Sequence, residues 1–236
     1  MKKSPEKARL EHIKWSRSDS GFDKILAHYQ AEKIAELTVG ESLLDLGCGD
    51  GFITKMFSND FIRVVAVDGS ESQIIKAREL AKGIDFRVDT IEDFNPQGEK
   101  FDTIVLNNVL EHVKDPCLIL NQTVTWLNDG GCIIILVPNS QSLNRRIGVE
   151  MGLISRCDEL DASEKSKGHR RIYDMEGLMS DIQKCNLKVT ESGGIFLKPL
   201  SNNQMESWDP EIFPALFEVG KKLPDYCNVL YAKCTT

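Results

Sequence analysis

From residue 42 onward, the hydrophobic pattern alternates between short β-rich runs and helical periods. "SLLDL" (42–46), "IRVVAVD" (62–68), "IDFRVD" (84–89) and "FDTIVLNN" (101–108) read as strands. Between them, "FITKMFSN" (52–59) and "SESQIIKARELAKG" (70–83) have helical spacing. In the second, Ser70 and Gln73 are spaced for a capping box and Gly83 suits a C′ stop. "DPCLILNQTVTWLNDGG" (115–131) predicts a helix with Asp115 as N-cap and Pro116 in the first turn, ended by residues 128–131. "CIIILVP" (132–138) is apolar throughout, as a strand covered on both faces of a parallel sheet must be.

After residue 138 this rhythm breaks. Residues 139–173 are polar and irregular, too long for an ordinary connection in a compact domain, and read as an insertion with a function. Helical period returns over 174–185, with Asp174 as cap, and 187–198 and 227–234 read as a final pair of strands. A helix over 22–37 precedes the first strand. The alternation implies a doubly wound α/β sheet with ligands at the C-terminal ends of its strands. The expected organisation is an N-terminal helical segment over 1–41, able to act as a lid, then one domain over 42–236 with 139–173 on the substrate side. Trp15 and Tyr29 are candidates for that lid, with ordinary packing as the alternative. Trp208 and Phe213 either line the acceptor pocket or cover the last hairpin.

Composition narrows the function classes. The chain has 236 residues, 41% apolar and 28% charged, as in an ordinary globular domain. A net charge of −7 argues against sequence-independent nucleic-acid binding, which depends on basic surface. No apolar run approaches the roughly 18–20 residues of a membrane span, and the basic N-terminus lacks the apolar stretch of a signal peptide. Seven cysteines without a C-x-x-C pair read as reduced thiols of a cytoplasmic protein and give no zinc spacing.

The candidate chemistry begins at "LLDLGCGDGF" (43–52). A dinucleotide fingerprint is G-x-G-x-x-G, with the pyrophosphate on the helix N-terminus. Here the spacing is G-x-G-x-G, the next position is Phe52, and Asp50 inside the turn would repel a pyrophosphate by about 1 kcal/mol or more. Asp45, Asp68 and Asp89 end three successive strands. Such a loop suits a nucleoside ligand without phosphates and with a positive centre, as in S-adenosylmethionine. Asp68 is placed to accept the ribose hydroxyls and Asp89 the adenine amino group, with Ile91 and Phe94 as ring contacts. A nicotinamide dehydrogenase is disfavoured by the same Asp50 and Phe52.

"LLDLGCGDG", "VVAVDGS", "FRVDTIEDF", "FDTIVLNNVLEHVKDP" and "LNDGGCIIILVPN" together resemble the successive motifs of class I S-adenosylmethionine-dependent methyltransferases, from about residue 42 to 139. The resemblance implies a mostly parallel, seven-stranded Rossmann-like sheet with an antiparallel last strand. It also implies cofactor contacts at Asp45, Gly47, Gly49, Asp68, Asp89 and Asn107.

On a helix starting near Asn108, positions 108, 111 and 112 share a face, so Asn108, Glu111 and His112 converge toward the acceptor. Quinone-biosynthesis O-methyltransferases and small-RNA 2′-O-methyltransferases carry a similar E-x-x-E-H stretch that binds a divalent metal. This sequence has N-V-L-E-H, and the missing carboxylate argues against a metal. His112 is the expected general base, with Glu111 orienting it; His169 in "KSKGHRRIYD" is the rival. Arg170 and Arg171 are expected to bind an anionic acceptor. The resulting reading is methylation of a small polar, anionic metabolite, with an oxygen acceptor favoured. A catalytically silent binding protein and an RNA 2′-O-methyltransferase are the alternatives.

Overall fold

A computed structural model describes residues 21–236. Residues 1–20, with Trp15 and the first half of the expected lid, lie outside them. Seven strands form one sheet: β1 (Ser42–Leu46), β2 (Arg63–Asp68), β3 (Asp85–Val88), β4 (Phe101–Asn107), β5 (Leu127–Pro138), β6 (Lys188–Ile195) and β7 (Val229–Thr235). Their order is β3-β2-β1-β4-β5-β7-β6, parallel up to β5, with β7 antiparallel to both neighbours. Strand order reverses between β1 and β4, which opens a crevice at their C-terminal ends.

Alternation along the strands builds two apolar layers. Leu44, Leu46, Ile104, Leu106, Ile133 and Ile135 face one side, against helices α4 (Pro116–Thr125) and α7 (Met175–Lys184). Leu43, Val105, Ile134 and Leu136 face the other, against α1 (Gly21–Leu37) and α9 (Ile212–Lys222). Ile133 through Val137 are fully buried, as the unbroken apolar run required. Tyr29 belongs to this core, stacked on Phe217 at 4.5 Å between ring centroids. Phe213 is also core, packed edge-on against Phe22.

The sheet, the start of the helix after β2 and the insertion each differ from the sequence reading. β5 begins at Leu127, not 132, because Leu127 pairs with Phe101 across an irregularity in the ladder. Residues 128–131, which look like a helix stop, belong to that strand. Ser70 does not close a capping box on α3 (Glu71–Leu80): its backbone N–H donates to Asp68 and its hydroxyl pairs with Ser72. The 139–173 insertion also contains two helices, α5 (Leu143–Glu150) and α6 (Ala162–Ser166). Its two ends are pinned by a parallel bridge between Asn139 and Tyr173, so it returns to the point where it leaves.

Candidate active site

At the β1 end the chain must turn sharply, and Gly47, Gly49 and Gly51 all take positive φ, at 81°, 55° and 71°. A Cβ on Gly47 would stand 2.6 Å from Val109 Cγ2, and one on Gly51 would stand 3.0 Å from the Phe86 ring. Gly51 therefore permits the close helix–strand approach that the dinucleotide motif assigns to a glycine one position later. Asp68 accepts from Gly49 N–H at 2.9 Å and from Ser70 N–H at 2.8 Å, locking the loop to the end of β2. Asp45 accepts from the Thr54 hydroxyl at 2.6 Å.

These carboxylates have lost most of their water. Burial pushes Asp45 up to about 7 against the hydrogen bond from Thr54, with the charge of Asp68 adding to the rise. Asp68 is also raised, by burial first. With Asp50 they line one end of a cleft of about 610 Å³. Two desolvated acids beside a third suit a cation and would repel a pyrophosphate. Gly47, Gly49 and Asn107 line the same end, and Asn107 donates to Gln30 of α1. Asp89 and Ile91 stand one strand further out and do not line the cleft. Asp89 N–H donates to the Asp68 carbonyl, and Ile91 packs beside Gly47.

The other end of the cleft departs from the expected helix. Asn108 has φ of 55°, so residues 108–114 form an irregular turn; its amide donates to Asn107. Val109 carbonyl still accepts from the His112 and Val113 N–H groups, one short turn, which leaves Glu111 and His112 side by side. Glu111 is fully buried, and neither carboxylate oxygen has a hydrogen-bond partner on another described residue. Its Oε1 lies 3.9 Å from His112 Nε2. The His112 and His169 rings meet edge to face, 4.7 Å between centroids. Glu111, His112 and His169 can each offer one ligand atom, all within 4.8 Å of one another.

Sequence reading missed Glu164, whose carboxylate pairs with His169 Nδ1. Burial pushes Glu164 up, but the His169 hydrogen bond and the cations around it outweigh that and hold it below the ordinary glutamate range. Arg170 and Arg171 do not line the cleft. Arg171 donates to the carbonyls of Leu110, Val113 and Lys114, and Arg170 Nε to that of His112. They brace the turn that carries Glu111 and His112, which lacks the helix that would otherwise occupy those carbonyls. The cations lining the cleft are Arg145, Lys167 and Lys198. Arg145 is committed to the Cys157 and Glu159 carbonyls.

Burial pushes Glu111 up to about 8 from an ordinary 4.5, opposed by its own backbone hydrogen bond and reinforced by Glu164. A carboxyl with a raised folded-state value binds its proton more tightly folded than unfolded. Its contribution to stability is thus complete below about 4.5 and lost as pH rises toward 8. Glu111→Gln has no such loss. Its stability relative to the unaltered protein is expected to gain on the order of 2–4 kcal/mol between pH 4.5 and 8.5. Urea unfolding of both proteins at each pH checks this, and a difference that does not change with pH refutes the buried proton.

Residues 22–192 match a family model described as a methyltransferase domain. The ubiquinone biosynthesis O-methyltransferase of Parvibaculum lavamentivorans is 27% identical over 175 residues, covering 72% of this chain and 67% of its own. The Rhizobium etli enzyme of that name is 27% identical over 186 residues, covering 76% and 73%. Among solved structures, a S-adenosylmethionine-dependent methyltransferase from Mesorhizobium loti superposes with a TM-score of 0.63 at 16% identity, over 91% of this chain and 99% of its own. The plantazolicin methyltransferase BpumL, in complex with a substrate analogue and SAH, gives 0.61 at 16% identity, over 90% and 83%.

Proposed function

The chain belongs to the methyltransferase domain family and is a class I S-adenosylmethionine-dependent methyltransferase; we propose that its acceptor is a hydroxyl on a small, polar, anionic molecule. The observation that carries this reading is the continuity of one cleft, from the acid-lined glycine loop to the cluster of Glu111, His112, Glu164 and His169. Bound S-adenosylmethionine supplies a methyl group on a positively charged sulfur, which leaves as a neutral thioether. Asp45 and Asp68 would face the positive, hydroxyl-bearing cofactor, with Gly47 and Gly49 allowing its close approach and Asn107 beside them. Its base would have to extend past the lined cleft, beyond Asp68, to meet Asp89 and Ile91.

A hydroxyl acceptor must surrender a proton, and an imidazole titrating near neutrality suits that task. His169 is the better supported of the two. The Glu164 carboxylate on Nδ1 fixes the tautomer and leaves Nε2 basic, the arrangement used to activate hydroxyl nucleophiles. His112 packs against it and Glu111 backs His112, so all three residues remain in the reading with roles shared between them. Asn108, on the same turn and in the lining of the cleft, would touch the acceptor. The relatives named as O-methyltransferases support an oxygen acceptor.

Incubation with radiolabelled methyl donor and a panel of hydroxy acids, amines and total RNA tests the reading. Label in a hydroxy acid supports it; label confined to amines or RNA, or donor uptake without any transfer, replaces it. A metal-assisted route is the second reading, because of the Glu111–His112–His169 grouping. Two imidazoles with one carboxylate suit zinc-like ions better than Mg²⁺, and Asn108 takes the sequence position of the first carboxylate in the E-x-x-E-H stretch. Dialysis against EDTA is expected to leave the rate within about twofold. A fall to background, restored by Zn²⁺ or Mn²⁺, would move those residues from proton transfer to ligation.

A further inference from the structure

The end of the cleft farthest along the insertion is formed by the start of α5, the segment after β6 and helix α8 (Asn202–Met205). Lys198 lines it. Its Nζ donates to Asn202 Oδ1 at 2.6 Å, and among the described residues no carboxylate stands within ion-pair distance of it. Burial first, then the charge of Lys167, pushes it down to about 8, against the more distant charges of Asp23 and Glu164, which offset only part of that. Asn202 carries no charge to set against it, and its own amide donates to the Asp23 carboxylate. A half-buried ammonium held by one neutral acceptor is costly unless an anion joins it.

Asn144 sits beside it, tied by its backbone N–H to the Lys198 carbonyl at 3.1 Å. The Asn144 Oδ1 is buried and has no hydrogen-bond partner among the described residues, so it calls for a donor. Asn203 and Asn228 add two more amides to the lining. None of the described lining residues is Phe, Tyr or Trp. Apart from the His112 and His169 imidazoles, the lining thus offers no ring for an aromatic acceptor to stack on, and it is rich in groups that pair with hydroxyls and with one negative charge. Lys167, Lys198 and the Glu111–His112–His169 cluster all line this one cleft.

We propose that Lys198 determines acceptor specificity and that the acceptor is an anionic sugar, a polyhydroxylated molecule carrying a carboxylate or phosphate. Its anionic group takes Lys198 and Lys167, one hydroxyl donates to Asn144 Oδ1, and the hydroxyl to be methylated reaches His169. This rests on the O-methylation reading above and narrows its substrate class.

Calorimetry on the full chain loaded with S-adenosylhomocysteine tests it, with glucuronate, glucose 6-phosphate, neutral glucose and 3,4-dihydroxybenzoate as probes. One anionic sugar is expected to bind about tenfold or more tighter than glucose. The two anionic arms distinguish carboxylate from phosphate. Lys198→Gln is expected to erase the preference and Lys198→Arg to keep part of it, while affinity for S-adenosylhomocysteine stays unchanged in both. Glucose binding as well as both anions, no binding of either anion, a preference that survives Lys198→Gln, or tighter binding of dihydroxybenzoate would each overturn the proposal. Turnover separates this from the parent reading. A neutral sugar or catechol methylated on oxygen as fast as its acidic counterpart sinks the subsite alone. Label going only to amines, with the Lys198-dependent preference intact, sinks the oxygen acceptor and leaves the subsite.

Discussion

Asp68→Asn is expected to weaken S-adenosylhomocysteine binding by about a hundredfold, equivalent to ~2.7 kcal/mol. Its two oxygens hold the glycine loop and the start of α3, by accepting from Gly49 and Ser70 N–H groups at 2.9 and 2.8 Å. An asparagine has a single oxygen, so one of those N–H groups would face an amide N–H₂ and lose its acceptor. A buried donor left unpaired costs about 1–3 kcal/mol. The proposed cofactor loop would loosen by that amount, and the ribose would lose a charged acceptor worth about 1.5–3 kcal/mol. The two losses overlap, since a loosened loop already binds poorly, and the hundredfold figure is nearer one of them than their sum. Removing a desolvated charge offsets part of the cost to folding, so the melting temperature should fall by less than the binding loss suggests. Titration calorimetry on a variant that still unfolds cooperatively decides the matter. An unchanged dissociation constant would remove Asp68 from the cofactor site.

The parts of the molecule legible in the sequence are those fixed by local pattern. β-Branched runs ended by acids and glycines gave the parallel strands and their order of chemistry, because strands buried on both faces cannot read otherwise. Glycines with positive φ were visible as glycines. What failed was decided at a distance. The stop signal at 128–131 yielded to the pairing of Leu127 with Phe101, and the Ser70 cap yielded to Asp68, a better acceptor already in place. Asn108 entered a left-handed turn that helical spacing cannot anticipate. The basic run at 165–171 was recognisable as charge, but not in its direction: Arg170 and Arg171 went to carbonyls left without partners by the irregular 108–114 turn. Glu164 and Lys198 had no local signature, since only the bridge between Asn139 and Tyr173 and the path of β6 bring them to the cleft.

His169→Ala is expected to lower kcat by about 10²–10⁴-fold, the range supplied by a positioned general base, while cofactor affinity moves by less than about threefold. The side chain is held on two sides, by the Glu164 carboxylate at Nδ1 and by the edge-to-face His112 ring. An imidazole so fixed loses little entropy in reaching its working orientation, and truncation to alanine removes the proton acceptor outright. Glu164→Gln keeps an oxygen for the Nδ1 proton but removes the negative charge that would stabilise an imidazolium. A loss of about 10–100-fold is expected. The double variant should be little worse than His169→Ala, because the part of Glu164 in proton transfer would pass through that imidazole and effects within one unit do not add. His112→Ala should cost about tenfold, through loosened packing of its neighbour. Radiolabelled methyl transfer measures all four. Added imidazole should restore part of the rate to His169→Ala and none to Glu164→Gln, which a purely structural role for His169 would not produce. If His112→Ala proves the more damaging and the one rescued, the proton goes to His112, and Glu164 becomes a brace for the loop.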